Sequence, residues 1–181
     1  MENKNHFDSG NLDELHKIPE ESINIGSSEM QEGLQELSNL SPTEFTFEGV
    51  FCASAEGAIQ ALKYENEDEQ KRICTLFGGK AKRAGKKGNK RIETELSTNG
   101  KAFIFWKGGK ILFRSPEHFN LIKEILMAKF TQNESAKSAL LKTGNSQITH
   151  DMGYPESTFT SLPAKVFTNM LHEIRNEIQK T

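Results

Sequence analysis

The sequence predicts an α+β fold, a helix-dominated single domain with a small antiparallel sheet, and three observations predict it. Apolar residues recur at helical spacing in several segments, as in Phe119, Ile122, Leu126 and Phe130. Two aromatic and β-branched runs, 102–106 and 111–114, flank Lys107-Gly108-Gly109-Lys110, which is a hairpin signal. The 181 residues suffice for one domain with a core, and no internal repeat divides them.

The elements follow in chain order. Residues 1–22 are polar and acidic with little periodic hydrophobicity, and are expected to form a flexible arm or a short frayed helix. The domain is expected to span 23–181, opening on Ile23-Asn24-Ile25 as an edge strand. A further extended piece is expected at Phe45-Thr46-Phe47. Ser54 is placed to cap a helix over 55–64. A second helix, over 67–77, buries Ile73, Leu76 and Phe77 and is ended by Gly78-Gly79. Residues 80–91 read as a glycine-rich basic loop. After the hairpin, Ser115-Pro116-Glu117 combines a serine cap with proline in the first turn, a strong helix opening. A shorter helix over 134–142 closes at Gly144, and a last one from near Pro163 buries Phe167, Met170, Leu171, Ile174 and Ile178.

Composition narrows the function classes. A formal net charge of -2 argues against nucleic-acid binding through the overall field, although local basic patches remain available. No apolar run approaches the ~20 residues of a membrane span, and the first residues lack the apolar segment of a secretory signal. A cytoplasmic protein without membrane association is expected. Cys52 and Cys74 stand far apart without a metal-ligand pattern, so reduced thiols and no metal site are expected; a single disulfide between them stays open.

The helix over 55–64 carries the most chemistry. At ~100° per residue, Glu56, Gln60 and Lys63 fall within about 60° of one another, a polar stripe on a helix otherwise built from Ala, Gly, Ile and Leu. Such a stripe is either a solvated face or an acid/base site. Glu56 in the first turn faces the positive end of the helix dipole.

Seven basic residues between 80 and 91, interleaved with Gly85 and Gly88, can bring cations and backbone N–H groups to phosphate oxygens. They equally suit a solvated loop or a nucleic-acid contact. Trp106, the one tryptophan, is either core or a stacking platform. His150 is a lone histidine before Asp151-Met152-Gly153, and Glu117-His118 reads as helix capping.

Several blocks together resemble the NADAR (YbiA-like) superfamily. Leu37-Ser38-Asn39-Leu40-Ser41-Pro42 with Phe47-Glu48-Gly49 is similar to its opening. Ser54-Ala55-Glu56-Gly57-Ala58-Ile59-Gln60-Ala61-Leu62-Lys63-Tyr64 resembles its core helix, and Ala81-Lys82-Arg83-Ala84-Gly85-Lys86 its basic segment. Lys129-Phe130-Thr131-Gln132-Asn133, then Leu140-Leu141-Lys142-Thr143-Gly144-Asn145, and the segment 167–175 resemble its later blocks, in the same order.

The resemblance implies an α+β fold and chemistry on N-glycosidic bonds of ribosylated compounds, without a cofactor. Branches of the superfamily cleave an amino-pyrimidine ribose phosphate or remove ADP-ribose from guanine in nucleic acid. It implies Glu56 and Lys63 as catalytic residues, and Ser38, Asn39, Gln60, Arg83, Lys86, Trp106, Lys129 and His150 as residues that bind substrate. The implied partner is a small ADP-ribose-like or ribosyl-phosphate molecule, or ADP-ribosylated nucleic acid. A non-catalytic binder of such ligands is the rival expectation. The chain departs from the pattern at 148–153, where His150 takes an acidic slot and a tryptophan is missing, and at 162–166, where a glycine-rich segment is replaced. Both departures bear on substrate identity rather than on Glu56.

Overall fold

Six short strands and seven α-helices are found among residues 22–26 and 32–180, which the computed structural model describes. The arm expected over 1–22 lies outside these residues except for Ser22, which opens β1. Strand β1 (Ser22–Asn24) pairs in parallel with β6 (Gln147–Thr149), Ile23 opposite Ile148. Strands β2 (Phe45–Phe47) and β3 (Val50–Cys52) form one hairpin, and β4 (Phe103–Trp106) and β5 (Gly109–Leu112) another. Each hairpin turns through two positive-φ residues, Glu48-Gly49 and Lys107-Gly108, the geometry that matches strand twist. The class is α+β as expected, with the extended structure divided into three two-stranded pairs, two of them antiparallel.

Helix α1 (Ala55–Ala61) starts where the Ser54 hydroxyl accepts the Gly57 N–H at 2.9 Å. It is shorter than the periodicity predicted, since Leu62 and Lys63 form a turn that leads on to Tyr64. Helix α2 (Glu67–Cys74) ends three residues before the expected stop. Gly57 lets these elements touch: a Cβ there would lie 2.6 Å from the Leu76 carbonyl oxygen.

Residues 80–91 are not a loop. They belong to α3 (Gly78–Ala84) and α4 (Lys86–Asn99), joined at Gly85. The glycines there serve close helix packing rather than chain flexibility. A Cβ on Gly85 would run into the Gln60 side-chain amide, and one on Gly88 would lie 2.5 Å from the Lys63 Cβ. Lysine and arginine are good helix formers, so once packing fixes the two glycines the helix forms through them. Gly100, at φ 68°, ends α4 and gives its N–H to the Leu96 carbonyl at 3.0 Å.

Helix α5 (Pro116–Gln132) packs against α1, α6 (Glu134–Lys142) and α7 (Ala164–Ile178). Its Ile122, Ile125, Leu126 and Phe130 are fully buried, each worth roughly 1.5–3 kcal/mol of transfer free energy. Buried Arg175 of α7 donates to the Thr143 hydroxyl at 2.8 Å and the Ser146 carbonyl at 3.0 Å, fastening the closing helix to the turn after α6. Cys52 and Cys74 are both buried and free. No described helix is long and apolar enough to cross a membrane.

Candidate active site

Helix α1 is buried on every side but one. Of its seven residues, Ala55, Gly57, Ala58, Ile59, Gln60 and Ala61 are buried, and only Glu56 reaches solvent. The expected stripe exists as a hydrogen-bonded line. The Gln60 Nε2 donates to Glu56 Oε1 at 2.8 Å, and Lys63 Nζ donates to Gln60 Oε1 at 2.6 Å. Because its Oε1 receives the lysine, the Gln60 amide can only offer its N–H side to Glu56. Lys63 thereby fixes which way Gln60 faces, and Gln60 fixes one carboxylate oxygen of Glu56.

The far end of the line is Asn89 on α4, whose Oδ1 accepts a second hydrogen bond from Lys63 Nζ. Asn89 carries no sequence signal of its own while 80–91 reads as a loop. As a helix, the spacing of Gly85, Gly88 and Asn89 places all three on one face, the face that meets Gln60 and Lys63. Lys63 is 3% exposed, and burial pulls it from 10.5 down to about 8, with the Glu56 charge pulling it up.

The near end is the segment after a 3-10 turn at Gln35–Leu37. The Glu56 N–H donates to the Asn39 carbonyl at 2.8 Å, seating that segment on the first turn of α1. Asn39 Oδ1 is buried with no hydrogen-bond partner. An orphaned acceptor costs about 1–3 kcal/mol, and a ligand N–H or O–H would relieve that cost. The Ser38 carbonyl takes a hydrogen bond at 3.0 Å from Lys129 Nζ, and Ser38 Oγ accepts the Leu40 N–H at 3.2 Å. Lys129 is fully buried on α5; desolvation holds it down to about 7, against a weaker upward pull from Glu36. It supports the Ser38-Asn39 segment from beneath.

The remaining expected residues are placed differently. Arg83 and Lys86 are exposed, together with Lys80, Lys82, Lys87 and Lys90 on α3 and α4. Trp106 is only 7% exposed; its indole N–H donates to Glu48 Oε2 at 2.8 Å and its ring lies 5.6 Å from that of Phe47. It is built as a core tryptophan, joined by none of these contacts to Glu56. His150 is half-buried with its ring edge-on at 5.6 Å to that of Phe167 on α7, and this contact does not join it to the line. Ser115 caps α5 as expected, accepting the His118 N–H at 3.2 Å, and burial pushes His118 down to about 4, so the ring is neutral. A depression of about 340 Å³ borders Lys63, Tyr64, Lys87, Arg91 and Phe105, but Glu56 does not line it. Among the described residues no group of three or more His, Cys, Asp or Glu side chains is placed to hold a metal.

Comparison with known proteins bears on fold and family. The sequence model of the family described as Bacteriophage protein GP30.3 matches residues 34–176. The NMR structure of the E. coli protein YbiA is similar with a TM-score of 0.57 at 18% identity, covering 91% of this chain and 89% of that one. No curated protein matches the sequence.

Proposed function

The chain belongs to the bacteriophage protein GP30.3 family and has the fold of YbiA, and on that premise we propose that it hydrolyses an N-glycosidic bond in a ribosyl-phosphate or ADP-ribose-like compound. The observation that carries this reading is the setting of Glu56. It is the one solvent-reaching residue of a buried helix, it is oriented through Gln60 by a buried lysine, and its N–H is bonded to Asn39, whose side-chain oxygen is unpartnered. A solvated surface stripe needs none of this.

In the proposed reaction the C–N bond breaks with its electron pair leaving on the base nitrogen, and the negative charge of Glu56 stabilises the oxocarbenium-like state that forms. The carboxylate of Glu56 takes a proton from water as the water oxygen attacks the anomeric carbon, and passes that proton to the departing base nitrogen. Lys63 offsets the charge of the ionised carboxylate and holds Gln60 in register. Asn39 Oδ1 accepts a hydrogen bond from the ligand. The exposed cations of α3 and α4, Arg83 and Lys86 among them, draw in the phosphates.

That basic surface also favours a second reading of the substrate, in which the ribosyl group is carried on nucleic acid; steep salt dependence of binding would mark it. The test is turnover, read by mass spectrometry, on nicotinamide adenine dinucleotide, an amino-pyrimidine ribose phosphate and ADP-ribosylated guanine in DNA. Release of free base from one of them, lost in Glu56→Gln, is the expected result. Tight binding without product from any would replace the hydrolase with a binder.

A further inference from the structure

Catalysis at Glu56 leaves open what receives the leaving base, since Trp106, the obvious stacking surface in the sequence, is buried against Phe47 and tied to Glu48. Two other apolar residues, Leu40 and Phe77, lie on segments bonded to the start of α1. Phe77 is 50% exposed and Leu40 is 37% exposed, both unusual for large hydrophobic residues in this protein. The Gly78 N–H donates to the Leu40 carbonyl at 2.8 Å, and Gly78 reaches that position through a φ of +55° that a side chain would disfavour.

The same two segments are locked to the start of α1. The Ser54 hydroxyl donates to the Leu76 carbonyl at 2.9 Å, and the Glu56 N–H donates to the Asn39 carbonyl at 2.8 Å. Leu40 and Phe77 therefore directly follow the two residues that clasp the Glu56 turn. Asn39, next to Leu40, supplies the buried Oδ1 that lacks a donor.

We propose that Phe77 and Leu40 form a shelf for the planar N-heterocycle on the anomeric carbon of the ligand, with Asn39 Oδ1 accepting a hydrogen bond from an N–H of that ring. An aromatic face and an aliphatic edge receive any π-system, while the lone acceptor selects rings that carry an amino or ring N–H donor. This assignment rests on the reading of Glu56 as the site of N-glycoside cleavage, and it names Phe77 and Leu40 as the residues that recognise the base.

Calorimetric titration of the full chain tests it, with guanosine monophosphate and nicotinamide mononucleotide as ring-bearing probes and ribose 5-phosphate as the ring-free control. Wild type is expected to bind at least one ring-bearing probe more tightly than the control. Phe77→Ala should weaken that probe by about ten-fold, the range expected for loss of one base–aromatic stack, and leave ribose 5-phosphate unchanged. Phe77→Tyr should keep the preference. Phe77 is exposed, so thermal melting should show the alanine variant folded like wild type.

Equal affinity of wild type for probes with and without a ring overturns the shelf, as does an unchanged or uniformly weakened Phe77→Ala. Turnover that needs Glu56 but ignores Phe77 would remove the shelf and keep the catalytic reading. Phe77-dependent ring binding with no Glu56-dependent turnover would do the reverse.

Discussion

Lys129 sits wholly inside the protein, and the Ser38 carbonyl at 3.0 Å is the hydrogen-bond acceptor it reaches. Placing an ammonium there is unfavourable, which is why burial holds it near 7 rather than 10.5. A base whose folded value is lowered binds fewer protons folded than unfolded, so stability rises with pH between the two values. Below about 7 the full penalty is present; by about 10.5 it is gone. Lys129→Met removes the titration while nearly conserving volume. Urea unfolding of both proteins from pH 6 to pH 10 should therefore show wild type gaining on the variant as pH rises, by an amount on the order of a few kcal/mol. Parallel curves would mean that Lys129 is not desolvated as described. The retention of such a lysine, when an apolar residue would pack more favourably, fits a residue kept to hold the Ser38-Asn39 segment against α1. Lys63 differs, because it has two side-chain acceptors and the Glu56 charge in its surroundings.

Helices α3 and α4 show how the elements build the site and where sequence reasoning stops. Gly85 and Gly88 both face the polar stripe, yet they meet different parts of it. At Gly85 an added Cβ would strike the flexible end of Gln60, which can move, but only by leaving Glu56. At Gly88 it would strike the Lys63 Cβ, which cannot move without the backbone. Gly85→Ala should therefore cost turnover while stability changes by less than about 1 kcal/mol, helped by the better helix propensity of alanine. Gly88→Ala should destabilise by about 1–3 kcal/mol, as overpacking does. Thermal melts and turnover on the two variants separate these outcomes; equal loss of stability in both would contradict the assigned contacts. The stripe itself was legible in sequence, because helical period alone aligns Glu56, Gln60 and Lys63. The helices over it were not, since four glycines among basic residues carry the same local signal in a loop as in a tightly packed helix pair. Asn89 was lost with them. Trp106 was misleading for a related reason: its sequence context does not reveal that Glu48, 58 residues away, satisfies its indole N–H.

Across the whole molecule, charge is distributed unevenly. The formal net charge is only -2, yet Lys80, Lys82, Arg83, Lys86, Lys87 and Lys90 are all exposed on the two helices that cover the stripe. The cationic surface is thus local to α3 and α4. The α+β class and the hairpin at 103–112 were within reach of period and turn chemistry, whereas at 45–52 only the first strand was expected and its partner at Val50–Cys52 was not. The parallel pairing of β1 with β6 was not, because it joins residues more than 120 positions apart and both strands are three residues long. The most direct test of the central claim measures turnover and affinity together, on one cleaved glycoside, for wild type and Glu56→Gln. The amide keeps the shape and the Gln60 contact but cannot take a proton. Turnover should fall by about 10²–10⁴-fold, with affinity within about two-fold of wild type. Turnover within ten-fold of wild type would contradict the role of Glu56 as the acid/base, and a matching loss of binding and of folding would make it a structural residue.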